Sequence, residues 1–229
     1  MDSAERRKFS VSAGLAILTV VLMWGVYLLA RFEFNEWFNY GIQPRQTDGL
    51  TGIMFSPILH SPTDWSHILN NSVPMLFLSW ALFYFFPQIS WQVLGLIWVV
   101  GGLCVWLSAR EGNHIGMSGV IYGLAAFHFT SGIISRNKNL MGLALLVVFL
   151  YGSMIWGIFP LQERVSWEGH LWGAINGVAY ALVFRGNGPK RKKYQWEIDE
   201  EKEREALQKL QEQGDVQQEE RTGPDGDVK

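Results

Sequence analysis

The 229-residue chain is 48% hydrophobic, with 11 Trp and 14 Phe, and only 17% charged; a soluble domain carries about 25% charge, which argues against an ordinary soluble fold. The net charge of −2 says nothing about partners, because the charges are gathered at the two ends, and no nucleic-acid partner is expected. Cys104 is the only cysteine, which excludes an internal disulfide and a cysteine metal cluster.

Met1 to Ser10 is polar and basic, with Arg6, Arg7 and Lys8. Val11 to Ala30 follows without a charge, long enough to cross a hydrocarbon core of about 30 Å. Leu28-Leu29-Ala30-Arg31 is a poor cleavage site for a signal peptide, so the run reads as a retained first span. Residues 31–66 form a long first external loop rich in aromatic residues. Five more apolar runs follow: His67–Phe86, Trp91–Ser108, Gly116–Ser131, Leu140–Phe159 and Glu168–Phe184. The expected fold class is an all-α polytopic membrane protein with six spans over residues 11–185, preceded by a cytoplasmic segment 1–10. A charged cytoplasmic tail, 186–229, follows. Within it Tyr194 to Gln213 reads as a surface helix and Gly214 onward as disordered.

Six spans put both termini on one side. With the N-terminus inside, the inner segments hold Arg6, Arg7, Lys8, Arg136, Lys138, Arg185, Lys190, Arg191, Lys192 and Lys193, and the outer ones Arg31, Arg45, Arg110 and Arg164. That asymmetry predicts cytoplasmic termini. Spans two, four and six then all run inward, and their first turns share one depth at the outer face. Those turns hold His67 with Asn71, Ser118 with Tyr122, and His170. Polar groups inside a bilayer tend to face the bundle interior and to mark function.

Ser118 needs a base to become a nucleophile. Gly116 permits a tight turn before it and Gly119 removes bulk beside it. A helix start also leaves backbone N–H groups free to hold an oxyanion. The competing reading is packing, since Gly119-x-x-x-Gly123 is a small-xxx-small pattern. His170 carries Gly173 and Gly177 on its own face, at i+3 and i+7, so span six can lie close against span four. Neutral imidazole can serve as base and then acid; alternatively His170 is an interfacial histidine reaching for water. Tyr122, one turn below Ser118, stacks on His170 or simply packs. His67 and Asn71, at i and i+4, can donate to an oxyanion or form a polar helix start. His128 is about 15 Å deeper than Ser118; His60 and His114 sit in loops where they can line an entrance. No histidine pair has the H-E-x-x-H spacing and no carboxylate lies inside a predicted span, so metal-dependent and paired-aspartate proteolysis are disfavoured and no metal is expected.

Taken together, these residues resemble the rhomboid intramembrane serine proteases. The match runs from about Tyr40 to Phe184: Gly41-Ile42-Gln43-Pro44-Arg45, Gly49-Leu50-Thr51-Gly52-Ile53, Ser56-Pro57-Ile58-Leu59-His60, His67-x-x-x-Asn71, Gly116-Met117-Ser118-Gly119 with Tyr122, and His170-x-x-Gly173-x-x-x-Gly177. The resemblance implies a rhomboid-like six-transmembrane-helix bundle and a Ser–His dyad. Ser118 is then the nucleophile and His170 the base. His67, Asn71 and the backbone at Ser118 form the oxyanion hole, with Gly116 and Tyr122 in support. It further implies single-pass transmembrane protein substrates, the lipid bilayer as surroundings, no cofactor, and a bacterial cytoplasmic membrane. One departure is visible: the Trp-Arg dipeptide common in the family's first loop is absent, with Trp37 and Arg45 apart. Two other readings compete: an inactive rhomboid-like protein that binds or escorts membrane helices, and an unrelated transporter using His67 and His170 as a proton relay. The first lacks one of the dyad residues elsewhere, and both are present here. The second calls for buried carboxylates or broken helices at mid-membrane depth.

Overall fold

The computed structural model describes residues 2–61, 63–162, 165–189 and 194–222. Arg164 and Lys190 to Lys193, counted in the charge asymmetry, lie outside them, as does the tail beyond Thr222. The described residues form two units, divided after Lys190.

The first unit is helical throughout. Its helices are α1 (Ser3–Phe32), α2 (Gly52–Phe55), α3 (Trp65–Phe85), α4 (Ser90–Ser108), α5 (Ser118–Ser135), α6 (Lys138–Tyr151) and α7 (Trp167–Val183). Each long helix starts where the sequence offers a cap or a turn. Asp2 accepts the Glu5 N–H and opens α1 eight residues before the apolar run. Asp64 accepts from Ser66 N–H at 2.8 Å and opens α3. Asn137 accepts from Asn139 and Leu140 and opens α6. Arg136 turns left-handed at φ 48° to end α5.

α1, α3, α4 and α5 are long and apolar enough to cross a membrane. Their outward residues are apolar too: Leu22, Val73, Leu107 and, on α6, Phe149 stay exposed. Such a surface suits lipid and not water, and the protein is an integral membrane protein. The predicted fifth run, Leu140–Phe159, is not one helix. α6 ends at Tyr151, and a 3-10 segment, Gly152–Ile158, takes over. Fourteen residues reach only about 21 Å. α7, at 17 residues, is also short.

The core lies between α3, α4, α5 and α7, where Met75, Leu78, Leu82, Ile97, Ile121 and Phe127 are fully or almost fully buried. α5 and α7 form the closest pair. A Cβ on Gly173 would meet the Gly119 carbonyl, and one on Gly177 the Gly123 carbonyl, so the glycine faces set the helix separation. α1 packs on α3 through Trp24, whose indole donates to Ser72 at 2.9 Å, and through Tyr27 against Trp65.

The loop between α1 and α3 is fastened to the bundle. Ile42 and His114 exchange both backbone hydrogen bonds, at 3.0 and 2.9 Å. Trp106 donates to the Gln46 carbonyl at 2.8 Å. Arg45 donates to the Ala109 carbonyl at 2.7 Å, placing a cation at the C-terminus of α4, where the helix dipole favours it. The loop thus docks through Arg45 without an adjacent tryptophan.

The second unit is α8 (Gln195–Thr222). It extends past Gly214, so the stretch to Thr222 is helical and not irregular. Its surface is charged, with an Arg204–Glu200 pair at 3.3 Å one turn apart.

Candidate active site

Ser118 is the first residue of α5, and Met117 before it supplies no side-chain cap. The N–H groups of the first turn are therefore left without intrahelical acceptors. Gly116, two residues earlier, has φ +112°, a conformation that favours glycine. It has a second reason to be glycine: a Cβ there would stand 2.5 Å from His67 Nε2. Its N–H donates to the Ser56 carbonyl at 2.8 Å, which fixes the turn that presents the serine.

His170, on the first turns of α7, lies with Nε2 2.8 Å from Ser118 Oγ. Its Nδ1 lies 2.9 Å from the Gly157 carbonyl. A carbonyl only accepts, so Nδ1 carries the proton and Nε2 offers its lone pair to the serine hydroxyl. The Tyr122 ring stacks on the imidazole with centroids 4.1 Å apart and planes 6° from parallel. Gly157 was not singled out by the sequence. A Cβ on it would strike the Tyr122 hydroxyl and stand 3.1 Å from His170 Nδ1, so only glycine lets its carbonyl approach the ring.

His67 accepts the Ser61 N–H at Nδ1, 3.4 Å away, which leaves Nε2 as the donor on the Gly116 side. Asn71 is buried and gives one amide N–H to the His67 carbonyl at 2.9 Å; its second N–H is available to an incoming oxygen. Gly119 faces the Gly169 carbonyl, 3.1 Å from where its Cβ would be. Hydroxyl, imidazole, stacking phenol and glycine faces thus come together at one end of the bundle. A cavity of about 50 Å³ behind Ser118 and Gly116, bounded by Ser56 and Ser166, is large enough for a water molecule.

The other histidines are buried, and His114 lines the cavity beside Ser118. His60 is fully buried and meets His67 edge to face, centroids 5.0 Å apart. Burial, reinforced by the neighbouring His67, pushes His60 down to about 3. His128 is buried against the Leu78 carbonyl, 2.9 Å away. His114 is buried between the Ser166 hydroxyl, 2.6 Å away, and the Arg110 carbonyl, 3.0 Å away.

His114 belongs to a network that the sequence did not disclose. Arg110 lies 3.5 Å from the buried Glu168 and donates to the Val165 carbonyl at 2.6 Å. With His114–Ser166, these bonds pin the start of α7 to the loop that leads into Ser118. Glu168 reads in the sequence as the edge of an apolar run; the signal available is that it lies two residues before His170. No group of three or more His, Cys, Asp or Glu side chains suited to a metal occurs among the described residues.

Comparison with known proteins matches the family model described as Rhomboid domain to residues 47–187. An uncharacterized protein of Mycobacterium tuberculosis is 35% identical over 193 residues, covering 80% of this chain and 78% of the relative. The same figures hold for an uncharacterized protein of Mycobacterium bovis. One of Mycobacterium leprae is 35% identical over 200 residues, 82% of this chain and 77% of the relative.

Proposed function

This chain belongs to the rhomboid family, and on that premise we propose that it is an intramembrane serine endopeptidase acting through a Ser118–His170 dyad. The observation that carries the reading is the 2.8 Å approach of His170 Nε2 to Ser118 Oγ, with Nδ1 held by a carbonyl in the tautomer a general base requires. His170 takes the hydroxyl proton as Ser118 attacks a peptide carbonyl. The oxyanion is met by the free N–H groups at the start of α5, by His67 Nε2–H and by the second N–H of Asn71. His170 then returns the proton to the leaving amine, and water hydrolyses the acyl-enzyme.

The substrates we assign are single-pass transmembrane proteins, cut in or near the span. The reading carries six spans: the four long helices, α6 with its 3-10 extension, and α7. Both termini are assigned to the cytoplasm on the excess of Lys and Arg at that end. Relatives from mycobacteria support a bacterial cytoplasmic membrane.

The test is cleavage of a transmembrane reporter by reconstituted wild type and Ser118→Ala, with fluorophosphonate labelling in parallel. Wild type is expected to cleave and to label at Ser118; Ser118→Ala is expected to insert normally and do neither. Cleavage retained in Ser118→Ala would remove the nucleophile, and a wild type that neither labels nor cuts would point to a helix-binding protein instead.

A further inference from the structure

The end of the bundle opposite Ser118 holds a second cavity, of about 700 Å³, between the first turns of α1 and the α3–α4 turn. α4 begins there and ends about 28 Å away, next to the loop before Ser118. The volume is within the range of sites that hold a sizeable organic ligand.

The lining divides into two zones. Arg7 and Lys8 line the cavity and, among the described residues, no carboxylate does. The nearby Glu5 is turned to the Tyr84 hydroxyl, 2.7 Å away, and Lys8 Nζ stands over the same ring at 4.6 Å. Arg7 has no ion pair or hydrogen bond among the described residues. Further along α1 the wall becomes mostly apolar, with Val11, Leu15, Phe83 and Trp91 and only the hydroxyls of Ser12 and Ser90 among them. Trp91 is 63% exposed, at the level where tryptophans mark the membrane–water boundary.

We infer that this cavity binds the headgroup of an anionic phospholipid from the leaflet on the side of the chain termini. Two cations face the phosphodiester, and the apolar wall takes the glycerol and upper acyl carbons. Basic pockets between spanning helices at a cytoplasmic face recognise lipid headgroups in this way. A free inorganic anion would satisfy the cations and leave the apolar wall uncovered, which is why the lipid is the occupant.

The experiment titrates the full-length protein in detergent with phosphatidylglycerol or phosphatidylcholine and counts retained lipid by native mass spectrometry. Two basic groups of ordinary juxtamembrane strength predict a preference of roughly 30-fold for phosphatidylglycerol. Arg7→Gln with Lys8→Gln should reduce it to a few-fold. Arg6→Gln, a neighbouring cation outside the lining, should leave it. Val11→Trp, which keeps both charges and fills the cavity, should abolish retention. Fluorophosphonate labelling of Ser118 reports whether each variant is folded and whether the dyad reading stands, separately from lipid retention. Equal retention of the two lipids, an unchanged preference in the double variant, or an equal loss in Arg6→Gln would overturn the site. Displacement of the lipid by inorganic phosphate would also overturn it, as a soluble-anion site.

Discussion

A hydroxyl that donates and a main-chain carbonyl that accepts bracket His170, and the carbonyl fixes which nitrogen is basic. Asn71 gives one N–H to the His67 carbonyl of its own helix turn, and on the proposed reading the other meets the oxyanion. Asn71→Ala should therefore lower kcat by about 10²–10³, with a much smaller change in KM. Reporter kinetics showing a rise in KM alone would assign Asn71 to binding. His60 gives a prediction of another kind. It is fully buried, its Nε2 has no partner among the described residues, and its pKa falls from 6.5 to about 3 on folding. The unfolded chain therefore binds the proton first. Its contribution to stability is complete above pH 6.5 and is lost as the pH falls from there toward 3, at up to about 1.4 kcal/mol per pH unit. Unfolding in detergent should show a shallower pH dependence in His60→Gln across that interval; superimposable curves would reject the assignment. At this scale Ser118, His170, His67 and Asn71 were legible from residue type and predicted depth. Gly157 was not, because its contribution is a carbonyl, which every residue has.

Helix α5 meets α7 because glycines four residues apart on each, Gly119 and Gly123 on one and Gly173 and Gly177 on the other, remove the side chains that would hold the backbones apart. That spacing was readable, and the close pair it predicts is present. Gly173→Val should force α7 away from the Gly119 carbonyl, costing about 1–3 kcal/mol of stability as an overpacked contact does. Loss of Ser118 labelling is expected to exceed what unfolding explains. A variant with lowered melting temperature but full labelling of the folded fraction would uncouple the contact from the dyad. The break between α6 and its 3-10 extension was not readable. Leu140 to Phe159 is uniformly apolar, and hydropathy has no means of registering that Gly157 must leave the helix to reach His170. The Arg110–Glu168 pair escaped for the converse reason: two charges flanking apolar runs read as solvated ends until the fold buries one of them.

For the whole molecule, the charge distribution predicts that reporters fused at the N-terminus and at the C-terminus report the same compartment, the cytoplasm. Opposite compartments for the two fusions would require an odd number of crossings and would break the common depth of His67, Ser118 and His170. The apolar runs predict six crossings; among the described residues four helices are long and apolar enough to cross a membrane, α6 and α7 being shorter. Finally, the hydroxyl and the imidazole are 52 residues apart in the chain, and the imidazole is carried on α7, the last helix of the first unit. During synthesis Ser118 thus enters the bilayer before the imidazole that it meets. Any product that stops before α7, whether from an interrupted ribosome or from degradation, holds Ser118 without His170, so the pair forms only once the last helix of the first unit has been made.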